Sequence, residues 1–217
     1  MSHAHQPNPV ALQPAQPNPA PVVADCVVNA AGFSERMGCW KMMLPFGSGT
    51  LLDACLTNAL ASCERVILVA GVRGEELIER YSGHPRITTV INPVVETGLF
   101  SSIQCGLRQV ERPYVFIAHG DMPYLTADIF KSVWEARCDR AILPTFEGKN
   151  GHPVLLPQSM AQQMASAPAQ DSAKQWLMRA PHQFLPVQNA NIQLDIDTPE
   201  QYQQILDELA NGVRPGL

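Results

Sequence analysis

The stretch Cys26-Val27-Val28-Asn29-Ala30-Ala31-Gly32-Phe33-Ser34-Glu35-Arg36-Met37-Gly38-Cys39-Trp40-Lys41 opens as a mainly apolar run of strand length. It closes as a loop of small residues carrying two cations. A largely apolar strand is one buried on both faces, as in a parallel sheet covered by helices. Small residues directly after it let backbone N–H groups come close to a ligand, as a phosphate or nucleobase requires. Arg36 offers a bidentate fork and Lys41 a mobile point charge, a pairing suited to a polyphosphate. The spacing is neither G-x-G-x-x-G nor a Walker A, because Cys39 follows Gly38 where lysine is required. A surface loop with incidental cations is the alternative reading.

Outward from this stretch the same rhythm repeats. Arg65–Ala70, Ile87–Ile91, Tyr114–Ala118 and Arg140–Leu143 are aliphatic or β-branched runs of strand length. Helices lie between them. Thr50 caps one that puts Leu51, Leu52, Cys55, Leu56, Ala59 and Leu60 on one face, with Asp53 completing a capping box. Thr126 starts another that buries Ile129, Phe130, Val133 and Trp134, and Thr198-Pro199-Glu200-Gln201 starts a last one. Strand–helix–strand alternation with right-handed crossovers predicts an α/β, three-layer sandwich around a mostly parallel, Rossmann-like sheet. Residues 144–197 break the rhythm. Gly148–Gly151 reads as a turn and Val154–Leu156 as a returning strand, so a small antiparallel insert is expected, as a lobe or an edge over the strand ends.

Residues 1–24 hold no Asp, Glu, Lys or Arg, and six of the chain's 19 prolines fall in the first 21 positions. Such a segment cannot offset its ordering entropy and reads as a disordered, Pro-rich tail, leaving one domain over residues 25–211. The tail lacks the basic start and continuous apolar stretch of a secretory leader. Fifteen Lys and Arg against 20 Asp and Glu give a net charge of −5 with no basic stripe, which argues against a nucleic-acid partner. No apolar run approaches the roughly 20 residues of a membrane span. Six scattered cysteines without a C-x-x-C pair read as thiols of a reducing cytoplasm, not as a disulfide or zinc framework.

Open parallel sheets bind ligands where their strands end. At a second such end, His119-Gly120-Asp121-Met122-Pro123, a carboxylate leaves a buried strand, well placed to hold Mg²⁺ together with substrate phosphates. His119 itself reads as a packed residue. At Gln193-Leu194-Asp195-Ile196-Asp197, strand alternation sends Asp195 and Asp197 to one face, as further metal contacts or as capping residues.

Together these segments resemble the nucleotidyltransferases of the molybdenum-cofactor family, in the A-A-G-x-S-x-R-M-G…K, G-D-x-P and D-I-D-T-P patterns. Gly98-Leu99-Phe100-Ser101-Ser102-Ile103 with Gly106-Leu107 is similar to that family's helix start beneath the nucleobase, and Gly151-His152-Pro153-Val154 to its G-H-P segment. The resemblance spans about residues 25–207. It implies a nucleotide-diphospho-sugar transferase type of fold and cytidylyl transfer from CTP to molybdopterin with pyrophosphate release. Arg36, Lys41 and Asp121 are the implied catalytic set, and Asp121, Asp197 and Asp195 the implied holders of Mg²⁺, or of Mn²⁺ in its place. Ala30, Ala31, Gly32, Gly98 and Ser102 would then bind nucleotide beside Arg36 and Lys41. Gly151 and His152 would face the acceptor, and a molybdenum hydroxylase apoprotein is an implied partner. Ala30-Ala31-Gly32 stands where guanylyl-transferring relatives carry A-G-G, which favours cytosine. Guanylyl transfer to the same cofactor, cytidylyl transfer to a sugar or polyol phosphate, and a cofactor-carrying chaperone are the rival readings. A phosphomonoester acceptor is already ionised near neutral pH, so no Ser–His or Cys–His nucleophile is required.

Overall fold

The computed structural model describes residues 22–211. The expected tail lies almost wholly outside the described residues; Ala24 already belongs to the first strand and is fully buried. The elements are β1 (Ala24–Ala30), β2 (Pro45–Phe46), β3 (Gly49–Thr50), α1 (Leu51–Ser62), β4 (Arg65–Ala70), α2 (Gly74–Tyr81), β5 (Ile87–Ile91) and α3 (Leu99–Leu107). They continue with β6 (Tyr114–His119), α4 (Ala127–Glu135), β7 (Ala141–Phe146), β8 (Lys149–Asn150), β9 (Val154–Pro157), α5 (Gln158–Ala165), α6 (Ala173–Arg179), β10 (His182–Pro186) and α7 (Pro199–Ala210). The main sheet has the order β10-β7-β9-β6-β1-β4-β5, with β8 paired to β7, and β2 and β3 form a small antiparallel sheet of their own.

The centre of the sheet follows from the residues of β1. Cys26, Val28 and Ala30 pack into a core on one face with Leu52 and Leu56 of α1 and with Phe130 and Trp134 of α4. Val27, followed by Ala31 just beyond the strand, packs into a core on the other face with Ile103 and Leu107 of α3 and with Met160 and Met164 of α5. Each such buried aliphatic side chain contributes about 1.5–3 kcal/mol. Both faces are covered, as the apolar runs predict, and the parallel pairing of β1 with β4 and β6 holds throughout. Asn29 lies in register with both Val69 and His119, so the loops after β1, β4 and β6 leave the sheet at one edge.

The insert departs from expectation. The antiparallel strand β9 is neither a lobe nor an edge but lies inside the sheet, between β6 and β7. Val154, Leu155 and Leu156 are all buried. Three consecutive apolar residues need cover on both faces, which an edge over the strand ends does not give. The edge is instead β10, a half-exposed strand running parallel to β7 and ending in proline. No helix among the described residues is long and apolar enough to cross a membrane.

Candidate active site

The loop after β1 folds back through two short 3₁₀ turns, Glu35–Met37 and Lys41–Met43. The Lys41 N–H donates to Ser34 Oγ at 3.4 Å, which draws the two turns together. Lys41 is thereby turned inward and its side chain is only 8% exposed. Its Nζ donates to Asp121 Oδ2 and to Asp197 Oδ1, both at 2.7 Å, and to the Ile196 carbonyl at 3.2 Å. Arg36, 70% exposed, reaches Asp197 Oδ2 at 2.5 Å. The segment carrying Asp197 is not a strand. It follows a 3₁₀ turn over Ala190–Gln193 and is tied to the end of β6 by the Ile196 N–H, which donates to the Asp121 carbonyl at 3.0 Å. The residue alternation nonetheless survives: Ile196 is fully buried, while Asp195 and Asp197 line the crevice.

The cations therefore do not stand free across a gap from Asp121. Lys41 and Arg36 are held by carboxylates. Burial alone would lower the Lys41 pKa, but Asp121 and Asp197 outweigh it and raise it. Burial likewise works against the Asp197 carboxylate, and Lys41 and Arg36 overcome it to hold its pKa below the usual range. Asp195 goes the other way: burial, with the charges of Asp197 and Asp121, pushes it up. Asp121 Oδ1 is buried and has no hydrogen-bond partner. An orphaned carboxylate oxygen costs about 1–3 kcal/mol unless a ligand meets it.

These groups line a crevice of about 590 Å³ at the sheet edge. Gly32 lines it too, whereas Ala30 and Ala31 are buried beside it and share a smaller neighbouring hollow of about 240 Å³ with Gly32 and Trp40. Trp40, readable as either a stacking residue or a core plug, packs against that core and lies under the Arg73 guanidinium, 4.0 Å from its carbon.

Gly98 has φ +105°, a conformation open to glycine, and starts α3 so that Leu99 faces the crevice. Ser102 is 2% exposed, lines neither hollow, and its hydroxyl accepts from Asn92 Nδ2 at 3.0 Å. Its geometry serves to fix α3 against the loop after β5. Asp195 lines the same crevice as Asp121 and Asp197.

Gly151 lies where a Cβ would stand 2.3 Å from the Ile192 carbonyl, so only glycine permits this approach. His152 differs from an acceptor-phosphate cation. Its Nδ1 lies 3.2 Å from the Ile117 carbonyl and its ring meets His119 edge-on at 4.4 Å. Burial, then the neighbouring His119, lowers its pKa to about 3. Burial and the charge of Lys41 lower that of His119 to about 4. Both imidazoles are neutral near pH 7, because charging them would strand an imidazolium away from water. Asn29 and Phe33, which the sequence reading did not select, also line the crevice.

A model of the MobA-like NTP transferase domain matches residues 26–184. Over 178 residues the chain is 45% identical to the molybdenum cofactor cytidylyltransferase of Escherichia coli (strain K12), covering 82% of this chain and 93% of that relative. Among solved structures it matches a nucleotidyl transferase from Methanothermobacter thermautotroptrophicus with TM-score 0.75 at 20% identity, covering 88% of this chain and 99% of that one. It also matches a manganese complex of a Mycobacterium tuberculosis protein with TM-score 0.67 at 20% identity, over 86% and 99% of the two chains. At these identities the two structural likenesses are ones of fold.

Proposed function

The chain belongs to the MobA-like NTP transferase family, and from that premise we propose that it transfers CMP from CTP to the terminal phosphate of molybdopterin. The products are pyrophosphate and molybdopterin cytosine dinucleotide. The observation that carries this reading is the convergence of Lys41, Arg36, Asp121 and Asp197 on one crevice at the sheet's loop edge.

In this reaction an oxygen of the acceptor phosphate bonds to the α-phosphorus while the bond from that phosphorus to the α,β-bridging oxygen breaks. The electron pair leaves with pyrophosphate. A phosphomonoester with second pKa near 6 is already largely dianionic, so the protein need not remove a proton. What remains for the chain is alignment and charge stabilisation. Lys41 and Arg36 supply two positive charges to the triphosphate, and Ser34 holds the Lys41 backbone in place. Gly98 and Ser102 fix the start of α3, beside the Ala30–Gly32 loop against which a small base would rest. The neutral His119 and His152 leave the charge balance of the crevice to these cations and the carboxylates.

Asp121 and Asp197 fit a hard divalent ion, Mg²⁺ or Mn²⁺. They present carboxylate oxygens, one of them buried and unpartnered. Two carboxylates with substrate phosphates and water are the usual donor set for Mg²⁺. When bound, such an ion supplies positive charge to the triphosphate as negative charge shifts in the transition state. Asp195 contributes from the wall of the crevice, and Gly151 and His152 form its acceptor side. A cytoplasmic setting is supported by six free cysteines, three of them buried. A molybdenum hydroxylase apoprotein would then receive the product.

Pyrophosphate release with Mg²⁺ tests this directly. Release is expected from CTP only when molybdenum-loaded molybdopterin is present, and much faster than from GTP. Equal rates with the two nucleotides, or none with either, overturn the proposal.

A further inference from the structure

Two contacts join the loop that carries Lys41 to the loop after β4. At the root, a Cβ on Gly71 would collide with the Ala31 carbonyl, so the two loops are pressed together there. Farther out, Trp40 lies under the Arg73 guanidinium, whose Cζ is 4.0 Å from the ring centroid. Between these contacts the loops part around the hollow of about 240 Å³. Over residues 32–39 only Met37 is buried, and Ser34 and Gly38 hold left-handed backbone at φ +56° and +63°. That region disfavours a serine, so local preference alone does not set the shape of the loop.

Arg73 is itself fixed. Its Nε and Nη2 donate to Glu76 Oε1 and Oε2 at 2.5 and 2.6 Å, one turn along α2. That helix sends Leu77 and Tyr81 into the core, and at Gly74 it leaves no room for a side chain against Ile91 of β5. A bidentate carboxylate fixes the plane of a guanidinium and leaves its face free to lie on an aromatic ring. Arg73 lines the smaller hollow and not the crevice, and Glu76 already answers its charge.

We propose that Arg73 is a positioning residue for Lys41, acting through Trp40. Lys41 follows Trp40 directly, and the Trp40 carbonyl accepts from the Met43 N–H at 3.2 Å, closing the turn on which Lys41 rides. A clamped indole therefore fixes the root of the side chain whose Nζ meets Asp121 and Asp197. Support runs from α2 through Glu76 and Arg73 to Trp40, and so to the ammonium. The importance of this clamp for turnover rests on the proposed transfer reaction; its hold on Lys41 does not.

The test reads Lys41 itself. Brief acetylation with acetic anhydride, followed by peptide mass spectrometry, compares Lys41 with the exposed Lys131 of α4. Lys41 is expected to react slowly in the unaltered protein, because its ammonium is buried and paired. In Arg73→Ala and Trp40→Leu its rate relative to Lys131 should rise about fivefold or more, as a local opening would allow. Trp40→Phe keeps a ring under the guanidinium and should stay within about twofold of the unaltered protein. R73A should melt within about 2 °C of it, as suits an exposed side chain. With CTP, Mg²⁺ and molybdenum-loaded molybdopterin, kcat in R73A and W40L should fall about tenfold, a modest cost for a misplaced charge, at unchanged acceptor KM. Unchanged Lys41 reactivity in both variants overturns the proposal, and so does a rise that W40F shares. Lost CTP affinity in R73A at unchanged Lys41 reactivity would make Arg73 a phosphate contact and also overturn it. Raised reactivity with full turnover in R73A removes the clamp from catalysis. If the unaltered protein turns over neither CTP nor GTP, the proposed reaction falls and the Lys41 rates alone decide the clamp.

Discussion

Lys41 occupies the place for which a divalent ion would compete. Its ammonium neutralises two carboxylates, Asp121 and Asp197, that are also the hard-oxygen donors of the crevice. Replacing it should therefore move metal affinity and turnover in opposite directions. In Lys41→Met, Mn²⁺ titrated into nucleotide-free protein and followed by electron paramagnetic resonance should bind more tightly than in the unaltered protein. Turnover should fall on the order of 100-fold, the usual cost of one lost transition-state charge contact. Weaker Mn²⁺ binding in that variant would sink the competition idea. Asp121→Asn should weaken Mn²⁺ and turnover together, and a variant that kept full turnover would remove Asp121 from the site. Arg36, Lys41 and Asp121 were legible because each follows an apolar run long enough to mark a buried strand. The clasp between them was not, since it depends on the Ile196 N–H reaching the Asp121 carbonyl.

At the scale of elements, the strongest local signals held. Thr50 and Asp53 make the capping box that starts α1, and Thr198 and Gln201 make the one that starts α7. Asp53 does more than its spacing announces: it also accepts from Arg80 Nη2 at 2.5 Å and from Tyr81 Oη at 2.7 Å, pinning α2 to α1. Burial works against this carboxylate, but Arg80, Tyr81 and Thr50 together bring its pKa down from 3.8 to about 2. The folded state binds this proton less readily than the unfolded chain. Its stabilisation, about 2 kcal/mol, is complete above pH 4 and lost as pH falls from about 4 to about 2. Chemical denaturation across that range should show the decline, and Asp53→Asn should flatten this component of it. An unchanged slope in the variant would discount the tie. Less legible were β9 and β10. A run such as Val154–Leu156 announces a strand but not its neighbours, and the half-exposed His182–Pro186 lacks the apolar continuity that marks a buried one.

For the molecule as a whole, chemistry and anchorage sit at opposite ends of one sheet. The crevice gathers where β1, β4 and β6 end, while Asp25, fully buried, lies near the start of β1. Asp25 accepts from Arg65 Nε at 3.1 Å and Nη2 at 3.0 Å, and from the backbone N–H groups of Glu111 and Arg112 at 2.8 and 3.1 Å. One carboxylate thus ties β1 to β4 and to the turn that leads into β6. Removing it leaves Arg65 without its main partner and two N–H groups unanswered, a loss of about 3 kcal/mol. Asp25→Ala should accordingly melt on the order of 10 °C lower in a calorimetric scan. The far end of the sheet is held by the two packed faces of β1, not by this ion pair, so Kd for CTP measured well below the transition should be unchanged. A variant that melted normally, or that lost nucleotide affinity as steeply as stability, would show that the two ends are not separable.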